Sequence, residues 1–361
     1  RFRLTFSDDD IEGILDGGHN LLAAALYFLR SSIKEPEKAL RGIRRWDQVP
    51  EIWNAHVGDV RLLKDDFNFL TPVEIIYPKD DQKGQEDFEE AILEIAQARN
   101  NNAQLTEETK AHKKGLYNEL KEALDPNLVD EVEWKTNDGG RIKARELVSL
   151  ALIPLSLLKD DIRELHDFKP VSLYRNKGSC VKQFNETMAS DAVSDTNGAV
   201  TTVKDPRVIG ALQLMKDIPR LYDLIFSEFP EAYNKVSSGF GRIRSVRLYE
   251  PNKYSKGERK YLPKAPLTRY YRKKCTYDFP DGFIMPILYG LVELIKVDNN
   301  NFSWRIDPDV FVKNHLRDIL AVYHGMISLA DYDPQRVGKT AASYEMARSQ
   351  IRALLASKGK I

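Results

Sequence analysis

Asp16-Gly17-Gly18-His19-Asn20-Leu21-Leu22-Ala23-Ala24-Ala25 passes from two glycines into a run of strong helix formers. Glycine opens backbone conformations closed to other residues, and Asn is a residue type that caps a helix by accepting a free backbone N–H. The pattern predicts a turn over residues 16–20 and a helix over 21–30 with its N-cap at Asn20. Upstream, Arg1-Phe2-Arg3-Leu4-Thr5-Phe6 alternates as a strand does, and Ile14-Leu15 adds a short apolar one. The unit therefore reads as strand, glycine turn, helix. The chain opens on Arg1 instead of Met, which we read as a trimmed N-terminus or a fragment.

Further along, Val73-Glu74-Ile75-Ile76-Tyr77 is β-branched, stops at Pro78 and reads as another strand. Helices are expected over 86–99 and about 106–124, with Arg99-Asn100-Asn101-Asn102 between them. Residues 132–135 and 141–144 flank Asn137-Asp138-Gly139-Gly140, the signature of a hairpin turn. The longest apolar run, 147–158, is interrupted by Ser149, Pro154 and Ser156; it falls short of the roughly 18 residues that span a bilayer and reads as a core helix. Helices then dominate, at about 208–228, 284–296, 308–330 and 340–356. We expect two domains, a mixed α/β part over 1–130 and a mainly helical part over 131–361.

The 361 residues carry 54 Lys plus Arg against 54 Asp plus Glu, so the overall field draws in neither nucleic acid nor an anionic membrane. The distribution tells more than the total. Residues 235–274 hold 13 Lys/Arg and 2 Glu, a net of +11, whereas residues 1–234 carry a net of −11. Any polyanionic partner must meet that one basic insertion. Two cysteines, Cys180 and Cys275, are too few for a disulfide framework and point to a reducing cytosol.

Three stretches carry candidate chemistry. In the first, Gly17, Gly18 and Asn20 at a helix N-terminus form a phosphate or nucleotide cradle, with Asp16 as metal or ribose ligand and His19 as general acid or base. The competing reading is a capped glycine turn. In the second, Arg99 with Asn100 and Asn101 clamps a phosphate, or simply ends a helix. The third is the basic insertion, in which Arg242, Arg244, Arg247, Lys253, Lys260, Arg269, Arg272, Lys273 and Lys274 alternate with Tyr249, Tyr254, Tyr261, Tyr270 and Tyr271. Cations neutralise phosphates and tyrosines stack on unpaired bases, a pairing expected of DNA or RNA binding, although a solvated face or a contact with acidic protein would share the composition.

Other motifs give way on inspection. Val337-Gly338-Lys339-Thr340 lacks the first glycine and preceding strand of a P-loop and reads as the start of the last helix. Asp125 with Glu133-Trp134-Lys135 has the residue types of a metal-dependent nuclease but sits in a proline-broken hairpin. His315 and His324 lie nine apart on one expected helix, outside the spacing that lets two histidines share a metal.

Several of these stretches together resemble abortive infection phage-resistance (AIPR) proteins. Residues 16–25 resemble that family's DGGHT-like loop, and Ala98-Arg99-Asn100-Asn101-Asn102-Ala103-Gln104-Leu105 its ARNTSxQV segment. Residues 142–158 are similar to its REL-containing helix, Tyr174-Arg175-Asn176-Lys177-Gly178-Ser179 to its YSSKG turn, and Pro280-Asp281-Gly282-Phe283-Ile284-Met285-Pro286 to its P-x-GF-x-x-P segment. More distantly the loop resembles the G-x-HR turn of the ParB and sulfiredoxin superfamily and the DGQHR turn of DNA-modification accessory proteins. Those loops place Arg after His where this chain has Asn20, which cannot neutralise a phosphate, and no cysteine stands in the loop for sulfiredoxin chemistry.

The resemblance implies an α+β protein with a small ParB/sulfiredoxin-like N-terminal domain, acting in the bacterial cytoplasm in antiphage defence. The family's biochemical activity is poorly defined; the basic insertion is what points to nucleic acid as partner and the short apolar runs to no membrane, with other defence-system subunits or a second copy as further expected partners. As an enzyme it would cleave phosphodiesters at Asp16 and His19, with Arg99 stabilising charge and Mg²⁺, Mn²⁺ or a nucleotide bound. The alternative is a non-enzymatic sensor or scaffold that recognises a phage product or a nucleotide.

Overall fold

Four Asp-Pro pairs begin helices. Asp125, Asp205, Asp307 and Asp333 each hold the N-cap position, and the proline that follows fills the first helical position, where a missing N–H costs nothing. Their carboxylates accept from the backbone N–H of Asn127 (2.9 Å), Arg207 (2.9 Å), Asp309 (2.9 Å) and Gln335 (2.8 Å). In the computed structural model, residues 18–43, 48–63, 75–77, 88, 107–135, 139–197, 200–255 and 259–357 are described. Among them helices dominate, with four two-stranded sheets, a mainly helical α+β architecture.

The chain divides into two compact units, Arg1–Leu105 and Thr106–Ile361, so the division falls 25 residues before the boundary drawn from the sequence. The reason lies in Leu116, Tyr117, Leu120, Leu124 and Leu128, which are buried in the same core as Trp134, Leu147 and Leu150. In the first unit, α1 (Gly18–Ser32) packs against α2 (Pro50–Leu62) through Ala25, Leu29 and Val60, with Phe28 and Trp53 tilted against each other at 6.5 Å. The expected strands at 1–6 and 14–15 lie outside the described residues, as does all but Phe88 of the helix expected over 86–99. The strand expected over 73–77 is not formed at Ile75, Ile76 and Tyr77, which lie in neither helix nor strand and are exposed. β-branched composition favours a strand only where a pleated surface is there to pack on.

In the second unit, α3 (Ala144–Leu155) is buried on nearly every side and continues as a 3-10 turn, Ser156–Leu158. Its interior hydroxyls are satisfied locally, Ser149 Oγ donating to the Glu146 carbonyl (2.9 Å) and Ser156 Oγ to the Ile153 carbonyl (2.7 Å). Against it pack α4 (Lys177–Met188) and α5 (Ile218–Val236); α5 runs along α6 (Pro308–Leu329), α6 packs on α7 (Ala341–Ala356), and α7 covers Met285–Gly290. The aromatic centre of this core is Phe226 stacked on Phe279 at 4.3 Å, with Phe240 edge-on to Phe279, Phe229 and Phe283.

Local differences from expectation have local causes. The helix expected over 106–124 is two, Glu107–Lys113 and Asn118–Ala123, parted at Gly115 with φ +75°. The helix expected over 208–228 breaks at Asp217 and restarts on Pro219, then passes through Pro230 to Val236. The hairpin at 132–144 is a two-residue parallel pair, β1 (Val132–Glu133) with β2 (Ile142–Lys143). Gly140 presses so close to β1 that a Cβ there would fall 2.2 Å from the Glu133 nitrogen. The remaining pairs, β3 (Ser194–Asn197) with β4 (Val200–Val203), β5 (Arg247–Leu248) with β6 (Tyr277–Asp278) and β7 (Ile295–Asp298) with β8 (Asn301–Trp304), are antiparallel. No helix among the described residues is long and apolar enough to cross a membrane.

Candidate nucleic-acid interface

The basic insertion is folded back on itself by a few backbone ties. β5 is joined on one side to β6 and on the other to residues 260–262, with the Leu248 N–H on the Lys260 carbonyl (2.9 Å) and the Leu262 N–H on the Leu248 carbonyl (2.7 Å). Lys260 is half-buried, and its ammonium donates to the Ile243 and Val246 carbonyls at 2.9 and 2.7 Å. Burial lowers its pKa, and those two carbonyls hold it as an internal staple.

A second turn, over 268–273, presents Arg272, Lys273 and Lys274. The Thr268 N–H bonds the Lys273 carbonyl (2.9 Å), and the Lys273 N–H returns to Thr268 Oγ1 (3.0 Å). Arg272 at the tip takes a left-handed φ of +55°. The base of this turn is fixed from the core by Asp223, whose side chain is wholly buried and accepts the N–H groups of Tyr270 (3.1 Å) and Tyr271 (2.6 Å). From the other side the Arg141 guanidinium donates to the Arg269 carbonyl (2.5 Å) and to that of Tyr270. Tyr270 is buried edge-on to Tyr222 at 5.2 Å.

Arg269 faces inward. Its guanidinium reaches Glu146 (2.8 Å) and Asp281 (3.0 Å) and lies over the Tyr222 ring at 5.2 Å. Lys177 completes a quartet, 2.5 Å from Glu146 and 4.0 Å from Asp281. Burial works against the Arg269 charge, but Tyr222, Asp281, Tyr270 and Glu146 outweigh it and hold its pKa above the ordinary guanidinium value. Two cations and two carboxylates from four separated segments neutralise one another here. The quartet ties the basic turn to α3 and α4, a role the sequence reading missed for Glu146, Lys177 and Asp281. Three segments quoted for the family resemblance, 142–158, 174–179 and 280–286, meet in it.

The surface of the insertion thus differs from its composition. Arg242, Arg244, Arg259, Lys264, Arg272, Lys273 and Lys274 are exposed and pair with no carboxylate among the described residues. Arg247 is exposed but paired with Asp278, and Lys253 with Glu250 at 2.6 Å. Of the five tyrosines only Tyr254 is well exposed, at 39%. These cations are open to phosphate contacts, whereas four of the five tyrosines are too buried to offer stacking platforms.

Of the glycine-loop residues, Gly18, His19 and Asn20 form the first turn of α1, which starts two residues before the expected cap, and Asn20 is exposed. Asn20 therefore contributes its own early N–H to the helix N-terminus instead of capping it. Asp16, Gly17, Arg99, Asn100 and Asn101 lie outside the described residues. Among the described residues no group of three His, Cys, Asp or Glu is placed to hold a metal. Asp125 caps a helix, Glu133 pairs with Lys143, His315 bonds Asp318 (3.0 Å) and His324 packs on Tyr233 at 5.3 Å, so all four are engaged locally. Compared with family models, curated proteins and solved structures, the chain has no match.

Proposed function

We propose that this chain binds nucleic acid, DNA or RNA, along its phosphate backbone through residues 242–274. The observation that carries the reading is the set of seven exposed cations that pair with no carboxylate among the described residues, three of them presented by a turn anchored by Asp223 and Arg141. Cations held by the fold lose little entropy when they meet phosphates, and each phosphate neutralised releases counterions. The buried Tyr270 and half-buried Tyr249, Tyr261 and Tyr271 favour backbone over base contacts.

The resemblance to AIPR proteins supplies the setting we propose, antiphage defence, with a ParB/sulfiredoxin-like N-terminal part. In it, Asp16, His19 and Arg99 act on a phosphodiester, and Mg²⁺ or Mn²⁺ would polarise the phosphate. The test is anisotropy of labelled single-stranded DNA, duplex DNA and RNA with the wild type and with Arg272→Glu/Lys273→Glu/Lys274→Glu. Reversal is expected to weaken binding at least about 30-fold at physiological salt; equal affinities would overturn the reading. Cleavage in the same samples with Mg²⁺ or Mn²⁺, lost in His19→Ala, would assign the loop as catalytic, whereas no turnover by wild type would favour a sensor or scaffold.

A further inference from the structure

The Gly338-Lys339-Thr340 stretch is no P-loop, yet it opens a 16-residue helix, α7, beside a groove of about 520 Å³. The groove lies between the C-terminal end of α6 and the start of α7, lined by Met326, Leu329 and Ala330 on one side and by Arg336, Lys339, Thr340 and Ser343 on the other. Its lining holds two cations and no carboxylate.

Two independent observations concern its polar side. Thr340 holds the N-cap position of α7 but does not cap it, because its Oγ1 donates to the Arg336 carbonyl at 2.7 Å. The N–H groups of Ala341 and Ala342 precede the first intrahelical bond and carry the positive end of the helix dipole. One turn in, Ser343 is wholly buried and its Oγ has no hydrogen-bond partner, although it lies on the groove wall. A buried hydroxyl left unsatisfied is costly and marks a place where a ligand atom fits.

Lys339 is exposed and engages no carboxylate among the described residues, while Arg336 sits 2.5 Å from Asp331 on the rim. The negative end of α6 is blunted, since the N–H groups of Ala330, Asp331 and Tyr332 bond the carbonyls of Met326, Ser328 and Ile327 at 2.9 to 3.0 Å. Leu329, 80% exposed, and Met326 supply an apolar wall at the mouth. The volume is that of a small-ligand site.

We propose that this groove binds a nucleoside 5′-phosphate, its phosphate at the N-terminus of α7 against Lys339 and Ser343 Oγ and its nucleoside along Met326, Leu329 and Ala330. Helix N-termini bind phosphate through free N–H groups and dipole together, and a neighbouring lysine and hydroxyl complete the coordination. The site is separate from the basic insertion and does not depend on it.

The experiment titrates the 361-residue chain with AMP, inorganic phosphate and adenosine, following the backbone amide resonances of Ala341 and Ala342. AMP is expected to bind more tightly than phosphate, and adenosine not to saturate. Lys339→Glu is expected to weaken AMP at least about tenfold and Ser343→Ala about three- to tenfold, while the Arg272/Lys273/Lys274 reversal leaves it unchanged. The proposal is overturned by absence of saturable AMP binding up to about 10 mM. Equal binding of adenosine, or loss of AMP binding in the triple reversal but not in Lys339→Glu, overturns it too.

Discussion

Asp223 and Glu293 are the two carboxylates whose replacement reports most on the second unit. Asp223 accepts two successive backbone N–H groups at the root of the basic turn with no exposure to water. Asp223→Ala leaves both donors buried, and with charge-assisted bonds worth roughly 1.5–3 kcal/mol each it should cost about 3–5 kcal/mol in urea denaturation; a loss under about 1 kcal/mol would show the turn to be held elsewhere. Glu293 lies between Arg348 (2.7 Å) and Arg352 (2.8 Å). Burial raises its pKa, but the hydrogen bonds and charges of the two arginines win and bring it below the ordinary 4.5. A depressed carboxyl stabilises the fold above its unfolded pKa and ceases to do so as pH falls through the folded value. The stability gap between wild type and Glu293→Gln should thus be widest near neutrality and narrow as pH falls below the unfolded carboxyl value and through the depressed folded one, as read by urea midpoints across pH. A gap independent of pH would assign the effect to packing. Cys180 shows the opposite balance: burial outweighs the lowering effect of Lys177 and pushes the thiol up to about 12, as befits a core residue.

Elements were legible in the sequence where periodicity was long and uninterrupted. The expected helices at 308–330 and 340–356 match Pro308–Leu329 and Ala341–Ala356, and the apolar run at 147–158 is the core helix it was read to be. The Asp-Pro helix starts are equally visible in the sequence, whereas Pro230 misleads because a buried proline is carried inside α5 by the packing around it. What the sequence could not show is which arginine of one basic run turns inward. Arg269 and Arg272 are three residues apart, but the partners that distinguish them, Glu146 and Asp281, lie 123 and 12 residues from Arg269. The ion quartet is thus an element-level device, fastening the turn over 268–273 to α3 and α4. Removing one member leaves a net charge half-buried, so Glu146→Gln should destabilise by about 1–3 kcal/mol and speed hydrogen exchange at the Tyr270 and Tyr271 amides more than elsewhere. Uniform acceleration across the unit would contradict a local fastening role.

At the scale of the whole molecule, a neutral chain keeps a net charge of +11 within residues 235–274 against −11 in the 234 residues before it. Separation of this kind gives local attraction for a polyanion without a global field. The folded insertion sharpens it: Lys260 and Arg269 are turned to internal partners, Lys235, Arg247 and Lys253 to neighbouring carboxylates, and Arg242, Arg244, Arg259, Lys264, Arg272, Lys273 and Lys274 to solvent. The most direct measurement is the salt dependence of affinity for a labelled 20-nucleotide strand, wild type against Arg272→Ala/Lys273→Ala/Lys274→Ala. Each phosphate contact contributes about 0.7–0.9 to the slope of log K against log salt, so the variant should lose roughly 2–3 from that slope along with affinity. An unchanged slope and affinity in a variant of unchanged stability would contradict binding through this turn.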